Sequence, residues 1–377
     1  MKVLFLTRFD FTYGKKDGGL AISYRNFSLI ESYFGTENVK LCIITKYSHK
    51  DQNNNIQYFY IKDNIISNYL TYVQLKDRIP IKVEKQISDF INNYSPDLIF
   101  WDGSTFGQVL DKLQAKTRSV IYFHNIERQY TWEQVKKHSW LCILRYFATI
   151  FNEKKMVKFT KNYVCMNNRD AKLLSDLYRV HANYILPATF SDTYQEVSCI
   201  TDDKYKKFQL LFIGSYFAHN YKGLIWFIDN VLPELDCKLI IVGKNMERLK
   251  KQVSNPKVEI IGTVESLDEY YREADAMVMP IFMGGGMKVK TAEALMYGKT
   301  IFASTEALQG YDVDYVNNIY RCDSKSEFIN SINEYISSNK KLKMNREIRK
   351  LFLDKYCTSA HYFKFKEYLE REVISDN

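Results

Sequence analysis

The residues best suited to chemistry form a glycine-rich loop in the second half of the chain. An apolar segment ends at Pro280, three consecutive glycines follow at 284–286, and a segment of helical periodicity begins near Lys288. Glycines let the backbone approach a ligand closely, and the start of a helix offers unpaired N–H groups to an anion. Lys288 and Lys290 add positive charge, and Glu293 supplies a carboxylate in the first turns of the helix.

These residue types predict that the loop and its lysines bind a diphosphate, while the carboxylate accepts hydrogen bonds from ribose hydroxyls. The spacing is neither that of a P-loop nor GxGxxG. A plain βα loop with surface lysines is therefore the alternative interpretation.

Three shorter glycine turns lie at the ends of other apolar segments. Gly214 and Ser215 end one such segment, Gly243 ends the next, and Gly18 and Gly19 follow the first segment of the chain. Each turn alone is weak evidence, because turns of this kind are common in α/β proteins. Together they indicate several backbones that a ligand could approach closely.

Patterns for metal-dependent, hydrolytic or nucleic-acid-binding chemistry are missing from the sequence. The 6 histidines show no HxH or HExxH spacing, and no GxSxG segment occurs. Asp312 and Asp314 form a DxD pair, but outside the strand-loop setting that a metal site would need. We therefore expect no metal, no cofactor and no nucleic-acid partner.

Short apolar segments alternate with segments of helical period along the chain. This alternation predicts α/β architecture with two doubly wound parallel sheets, and ligands of such sheets bind at the carboxyl ends of the strands. The expected strands are 2–7, 39–45, 56–61, 97–101, 119–124, 162–166, 183–186, 208–214, 238–243, 258–262, 276–280 and 300–304, and the longest expected helix is 129–159. We expect an N-terminal domain at 1–188, a linker at 189–207, a C-terminal domain at 208–356, and a last helix at 357–377 that packs back on the first domain.

The order of these motifs resembles that of the group 1 (GT4-like) retaining glycosyltransferases, which have the two-domain GT-B fold. The likeness is strongest in GGGMKVKTAEALMYGKTIFAS at 284–304, before which Gly214 and Lys222-Gly223 fall in the expected order. In the first half, Gly18-Gly19 and FHNIE at 123–127 are similar to the family's glycine loop and HNxE-like strand end.

The resemblance implies roles for particular residues. Glu293 would bind the ribose, Lys222 the diphosphate, and the loop at 284–288 the phosphate and donor sugar, with His124 facing them across an interdomain cleft. We expect His124, Lys222 and Lys288 to act in catalysis. The residues expected to bind the donor are Gly18, Gly19, Gly214, Ser215, Lys222, Gly243, Gly284, Gly285, Gly286, Met287, Lys288 and Glu293. On its own, His124 is equally consistent with a hydrogen-bonded core histidine.

Two positions depart from the family pattern. Gly285 stands where many members have a glutamate, and Ser215 stands where an arginine is frequent. The function implied is metal-independent transfer of a hexose from a nucleotide-diphosphate sugar to a glycan or lipid-linked acceptor, in surface polysaccharide biosynthesis. A catalytically silent partner subunit remains an alternative, and a sugar-nucleotide epimerase a weaker one.

Length and composition agree with two globular domains. The chain has 377 residues, 46% of them hydrophobic, and a formal net charge of +9. Seven cysteines without a CxxC pair, and charged residues within the first ten positions, lead us to expect a cytoplasmic protein. The abundant Tyr and Phe are interpreted as core packing and composition bias, with a sugar-stacking platform as the alternative.

The positive charge is concentrated in the first half of the chain. Residues 1–190 hold 27 Lys and Arg against 17 Asp and Glu, and the excess is densest between 131 and 165. Aromatic residues alternate with lysines there, and 140, 144, 147 and 151 share a helical face. One interpretation is a helix that lies on the inner face of an anionic membrane. The other is an amphipathic helix that packs on the sheet.

Overall fold

The computed structural model describes residues 1–13, 19–49, 54–62, 64–114, 116–137, 141–196, 207–283, 286–338 and 342–375. The chain divides into two compact units, Met1–Thr189 together with His361–Asn377, and Phe190–Ala360. We call them unit 1 and unit 2. No helix among these residues is long and apolar enough to cross a bilayer.

Unit 1 contains a parallel sheet of seven strands in the order β3-β2-β1-β4-β5-β6-β7. The strands are β1 (Val3–Thr7), β2 (Val39–Thr45), β3 (Ile56–Tyr60), β4 (Leu98–Asp102), β5 (Arg118–Phe123), β6 (Asn162–Cys165) and β7 (Tyr184–Ile185). The central strands are almost continuously apolar and buried, because helices cover both faces of a parallel sheet.

Seven helices of unit 1 precede unit 2 among the described residues. They are α1 (Gly19–Phe34), α2 (Ile65–Val73), α3 (Ile81–Tyr94), α4 (Gly107–Leu110), α5 (Glu127–Lys137), α6 (Leu141–Phe159) and α7 (Asn168–Tyr178), with a 3-10 turn at Thr36–Asn38. A core cluster that includes Ile87 of α3, Trp101 of β4 and Met156 of α6 joins these helices to one side of the sheet.

Unit 2 contains a parallel sheet of six strands in the order β10-β9-β8-β11-β12-β13. The strands are β8 (Gln209–Ile213), β9 (Lys238–Val242), β10 (Val258–Gly262), β11 (Ala276–Met279), β12 (Thr300–Ala303) and β13 (Ile319–Arg321). The helices are α8 (Ala218–Asn230), α9 (Asp268–Glu273), α10 (Val289–Met296), α11 (Lys325–Ser337) and α12 (Arg346–Leu351), with shorter turns at Leu232–Glu234, Met246–Lys251 and Phe352–Tyr356.

The last helix of the chain, α13 (Thr358–Tyr368), continues in a wider turn at Leu369–Ile374. Most of it belongs to unit 1, where the ring of Phe365 lies 6.4 Å from that of Phe100 in β4. Tyr33 of α1 donates a hydrogen bond of 3.0 Å to Glu370. These contacts fix the end of the chain on the first sheet.

Each sheet reverses its strand order beside its first strand. β1 lies between β2 and β4, and β8 lies between β9 and β11. The loops that leave such a pair turn to opposite faces, so a crevice opens at their carboxyl ends, and this is where ligands of open α/β sheets bind. The predicted fold class, two doubly wound parallel sheets, is confirmed.

Some elements differ from the sequence expectation. The single helix expected at 129–159 is two helices, α5 and α6, and residues 138–140 between them lie outside the described part. Two short elements were not predicted from the sequence, the helix α2 and the edge strand β13. Of the expected linker, residues 190–196 belong to unit 2, and 197–206 lie outside the described part.

Candidate functional site

A cavity of about 330 Å³ opens in unit 2 where β8 and β11 end. It is lined by Ile213, Gly214, Ser215, Phe217, Asn220, Ile281, Met283, Met287, Lys288, Val289, Lys290 and Glu293. Five residues expected from the sequence, Gly214, Ser215, Met287, Lys288 and Glu293, therefore line one cavity at the reversal point of the sheet.

Two glycine turns pack closely here, Gly214 against the ends of side chains and Gly243 against the backbone. A Cβ at Gly214 would lie 2.7 Å from Nζ of Lys290. A Cβ at Gly243, where φ is +139°, would lie 2.1 Å from the carbonyl oxygen of Gly214. Gly243 thus supports the Gly214 turn from behind and is not itself among the lining residues.

Lys222 and Gly223 occupy neighbouring positions of α8 but face different surroundings. A Cβ at Gly223 would lie 1.7 Å from the carbonyl oxygen of Pro280, so this glycine lets α8 approach the end of β11. Successive residues of a helix point about 100° apart, and Lys222 is exposed and does not line the cavity.

Lys290 is the most unusual cation of the cavity. Its Nζ donates a hydrogen bond of 2.9 Å to the amide oxygen of Asn220 and lies 4.5 Å from the centre of the Phe212 ring. Burial lowers the pKa of Lys290 to about 7, although the charge of Glu293 opposes this shift. An anion bound in the cavity would restore the charged form.

Lys288 has a different environment from Lys290. Its Nζ donates hydrogen bonds of 2.8 Å to Glu306 and to the carbonyl oxygen of Gly286. Lys288 also stands at the N-terminal boundary of α10, with extended backbone, so the first free N–H groups of that helix follow it directly. The ion pair with Glu306 fixes this lysine at the start of the helix.

Glu293 lies one turn into α10 and is held from the side by α9. The hydroxyl of Tyr271 donates a hydrogen bond of 2.8 Å to Oε2 of Glu293, and the Tyr271 ring stacks on Tyr297 with centroids 4.7 Å apart. Burial raises the pKa of the Glu293 carboxyl, and the hydrogen bond from Tyr271 opposes that rise. The carboxylate is thereby oriented before any ligand binds.

In unit 1, a buried carboxylate and a histidine meet at the corresponding reversal point. Nε2 of His124, just after β5, lies 2.9 Å from Oδ1 of Asp102 at the end of β4. Asp102 also accepts hydrogen bonds from Thr7 (2.8 Å), Ser23 (2.5 Å) and Asn26 (2.9 Å). Three other segments of unit 1, namely β1, α1 and the end of β5, therefore converge on the carboxylate that ends β4.

The charge of Asp102 determines which nitrogen of His124 remains available. Burial alone would raise the pKa of Asp102, but the His124 charge and the hydrogen bonds lower it below its usual range. The carboxylate is an acceptor only, so Nε2 of His124 carries a proton. Nδ1 of His124 is buried and has no hydrogen-bond partner among the described residues.

Other expected residues have simpler outcomes. Gly19 begins α1, and a Cβ there would lie 2.6 Å from the Phe9 ring, which itself packs 4.5 Å from the His124 ring. Gly286 has φ +67° with open space around it. Gly18, Gly284 and Gly285 lie outside the described residues.

The sequence analysis assigned no role to Asn220, Tyr271 or Asp102. Each contacts an expected site residue from a different element. Asp102 carried a recognisable signal, since it is an acidic residue at the end of the buried strand LIFWD.

The two aspartates of the DxD pair form ion pairs within the protein. Asp312 lies 3.2 Å from Lys355, and Asp314 lies 2.5 Å from Arg321.

Part of the second unit is similar to a known protein family. Residues 207–338 match the family described as glycosyl transferases group 1. This match spans β8 to α11 and includes the whole cavity. No curated protein matches the chain by sequence.

Several solved structures share the fold along nearly the whole chain. Sucrose-phosphate synthase from Thermosynechococcus elongatus has a TM-score of 0.71 at 12% identity, covering 98% of this chain and 99% of its own. The lipopolysaccharide outer core galactosyltransferase WaaB, in its apo form, gives 0.68 at 13% identity over 99% and 100%. Anabaena HepE, solved with UDP and glucose, gives 0.65 at 13% identity over 98% and 100%. At these identities the likeness establishes the fold.

Replacing Asp102 by Asn should destabilise unit 1 in a pH-dependent manner. We expect a loss of about 3 kcal/mol in the free energy of unfolding at pH 7, since an ionised acceptor of several hydrogen bonds is removed. The pKa of Asp102 is lower in the folded protein than the value of about 4 in an unfolded chain. Its stabilisation is therefore complete above about pH 4 and disappears as the pH falls through the folded pKa.

Urea unfolding followed by tryptophan fluorescence at pH 7 and at pH 3 measures this effect. Asp176→Asn, which removes an exposed carboxylate from α7 of the same unit, is the matched control and should change little at either pH. An equal loss for Asp102→Asn at both pH values would show that the charge is not the cause.

Proposed function

We propose that the chain, which has the GT-B fold and matches the group 1 glycosyl transferases over residues 207–338, is a glycosyltransferase that transfers a hexose from a nucleoside-diphosphate sugar bound in the unit 2 cavity. The proposed acceptor is a glycan or lipid-linked glycoconjugate, and the reaction retains configuration and needs no metal. The observation that carries the proposal is the cavity itself, in which Lys290, Lys288 and Glu293 stand beside the backbone turns at Gly214 and Gly286.

The groups of the cavity match the parts of a nucleoside diphosphate. The diphosphate is expected to bind half-buried Lys290, Lys288 at the start of α10 and the free N–H groups of that helix. All three attract negative charge in a region with little water. The oriented carboxylate of Glu293 suits the two hydroxyls of a ribose. Anabaena HepE is a solved structural neighbour in complex with UDP and glucose, which supports UDP as the first nucleotide to test.

The chemistry required is departure of the diphosphate from an anomeric carbon. Negative charge grows on the leaving oxygen as the bond breaks, so preorganised cations and N–H groups lower the barrier most. We assign this role to Lys288 and Lys290, with Lys222 as the further cation that the family resemblance implies. For His124, whose buried Nδ1 has no hydrogen-bond partner among the described residues, the family resemblance implies a role beside the donor sugar.

The acceptor hydroxyl attacks the face that the diphosphate leaves, as the family resemblance implies. No protein nucleophile is then required, and paired carboxylates of the hydrolase type are unnecessary. A surface polysaccharide as product is supported by the galactosyltransferase WaaB among the structural neighbours, whose acceptor is described as lipopolysaccharide outer core.

Replacing Glu293 by Ala should weaken binding of UDP about 10- to 100-fold, because two hydrogen bonds to a charged acceptor are lost. Isothermal titration calorimetry with UDP and GDP measures the effect, and release of nucleotide from UDP-sugars measures turnover. Glu269→Ala, which removes an exposed carboxylate from α9, is the control and should leave both unchanged.

Unchanged turnover in both Glu293→Ala and Lys222→Ala would contradict the proposal. The alternative of a catalytically silent partner subunit predicts that the wild-type protein itself binds neither UDP nor GDP. An epimerase would instead convert one UDP-sugar into another without releasing UDP.

The affinity for UDP should fall as the pH rises above 7. The pKa of Lys290 is about 7 in the ligand-free protein, and only its charged form pairs with phosphate. Each increase of one pH unit above 7.5 should then weaken binding by roughly eightfold, because the lysine must first take up a proton. Calorimetry between pH 7.5 and 8.5 measures this, where the diphosphate of UDP keeps a constant charge.

Lys290→Met should weaken UDP binding and remove the pH dependence. Lys251→Met is the matched control, since it removes an exposed lysine of the same unit that does not line the cavity. An equal loss in Lys251→Met would show that the effect on binding is not specific to the cavity. A flat pH profile for the wild-type protein would exclude Lys290 from the contact.

We further propose that the basic segment at 131–165 contacts an anionic membrane, at the inner face of a cytoplasmic bilayer. The aromatic face of α6 does not pack on the sheet, since Phe147 and Phe151 are 53% and 43% exposed. α2 packs against α6 and exposes Ile65 and Leu70 by 81% and 55%. A large apolar surface beside lysines is typical of a membrane-contacting region.

Neutralising Lys154, Lys155 and Lys158 with glutamine should weaken vesicle binding by roughly 100-fold, at about 1 kcal/mol for each lysine near the surface. Sedimentation with vesicles of phosphatidylglycerol and phosphatidylcholine at increasing salt measures the loss. The control removes three exposed lysines of unit 2, Lys250, Lys251 and Lys350. Absent or salt-insensitive binding of the wild-type protein would contradict the proposal.

A further inference from the structure

Several aromatic rings in unit 1 lie on the surface at the carboxyl ends of β1, β2 and β3. We call this group the tyrosine platform, and it consists of Tyr13, Tyr47, His49, Tyr58 and Tyr60. Tyr13, Tyr47 and Tyr60 are 50%, 39% and 51% exposed, so the interpretation of the abundant tyrosines as core packing is wrong for these three. Their exposed rings need another explanation.

The rings are ordered as two parallel pairs. Tyr13 stacks on Tyr47 with centroids 4.2 Å apart and an interplanar angle of 7°. His49 stacks on Tyr58 at 4.0 Å with the same angle, and its edge faces Tyr13 at 5.8 Å. Side chains from three separate segments thus form one continuous aromatic surface.

A buried carboxylate anchors this surface. Asp10 accepts hydrogen bonds from Thr12 (2.7 Å) and Thr45 (2.5 Å), and its Oδ2 lies 2.7 Å from Nε2 of His49. The hydroxyls of Thr12 and Tyr58 lie 3.2 Å apart. The histidine is therefore fixed beneath the tyrosines, and little entropy remains to be lost when a ligand binds.

The chemistry of the platform suits a pyranose ring. One face of a pyranose presents several C–H bonds and is apolar, while its rim carries hydroxyls. Flat tyrosine rings match the apolar face, and the tyrosine and threonine hydroxyls at the edge can exchange hydrogen bonds with the rim. The carboxylate of Asp10 already has three partners within the protein.

The platform is connected to His124 through a single loop. Phe9 packs against the His124 ring at 4.5 Å, and the next residues of this loop supply Asp10, Thr12 and Tyr13. A sugar on the platform therefore lies along the same strand-end rim as His124. If His124 faces the donor sugar, as proposed above, the platform lies on the acceptor side.

We propose that the tyrosine platform is a binding site for a pyranose residue of the acceptor. The assignment of this sugar to the acceptor rests on the proposed function. Binding of the sugar itself does not depend on donor chemistry, and the experiment below is performed without a nucleotide.

Saturation-transfer NMR on the full-length protein tests the site. The probes are methyl β-glucoside, methyl β-galactoside, methyl α-mannoside and methyl β-N-acetylglucosaminide. We expect transfer to the ring C–H protons of at least one probe, and a Kd about tenfold weaker in Tyr47→Ala and in Tyr13→Ala. Tyr47→Phe keeps the ring and should bind within about twofold of the wild type.

Two controls make the result decisive. Tyr315→Ala removes a tyrosine that is similarly exposed in unit 2, and Glu293→Ala disables the proposed donor site; neither should alter sugar binding. Absence of transfer to all four probes, or equal affinity of Tyr47→Ala and wild type, would overturn the proposal. Sugar binding in a protein that fails to bind UDP would contradict the donor assignment and leave the platform supported.

Discussion

Parallel pairing of the strands is the constraint on which both units depend. Every strand pair described in the two sheets is parallel, so all carboxyl ends of a sheet emerge at one edge. Residues that are far apart in sequence then become neighbours through strand order alone. Thr7, Asp102 and His124 meet in unit 1 for this reason, although about 120 positions separate the first from the last.

Two lysines of unit 2 differ in how their positive charge is satisfied. Lys299 is buried behind α10, and its ammonium donates to three carbonyl oxygens, those of Arg272, Ala274 and Lys343, at 3.1, 2.8 and 2.6 Å. Lys290 has an equally depressed pKa, about 7, but its hydrogen bond goes to one amide oxygen at the wall of a cavity. The first arrangement satisfies the charge within the protein, whereas the second leaves donor capacity for an anion.

The local parts of the unit 2 cavity were predictable from sequence, and the tertiary parts were not. Met287, Lys288 and Glu293 belong to one strand–loop–helix segment, so adjacency in sequence brings them together in space. Tyr271 comes from a different helix, and only the packing of α9 on α10 brings it to Glu293.

Lys222 was assigned its role from the family resemblance, and only the packing of α8 determines where its side chain lies. The helix of α8 turns the glycine toward Pro280 and leaves the lysine exposed. The fold class was predicted from strand–helix alternation. The helix α2 was not predicted, and its exposed apolar residues are an exception to the rule that such residues are buried.

The return of the chain to unit 1 has a consequence for synthesis. Unit 2 is continuous from Phe190 to Ala360, whereas unit 1 needs residues from His361 onward to cover Phe100 and Tyr184. During translation the first sheet is exposed to solvent on that side until the whole of unit 2 has left the ribosome. Unit 1 therefore completes its core only after all of unit 2 has been synthesised, although most of unit 1 is made first.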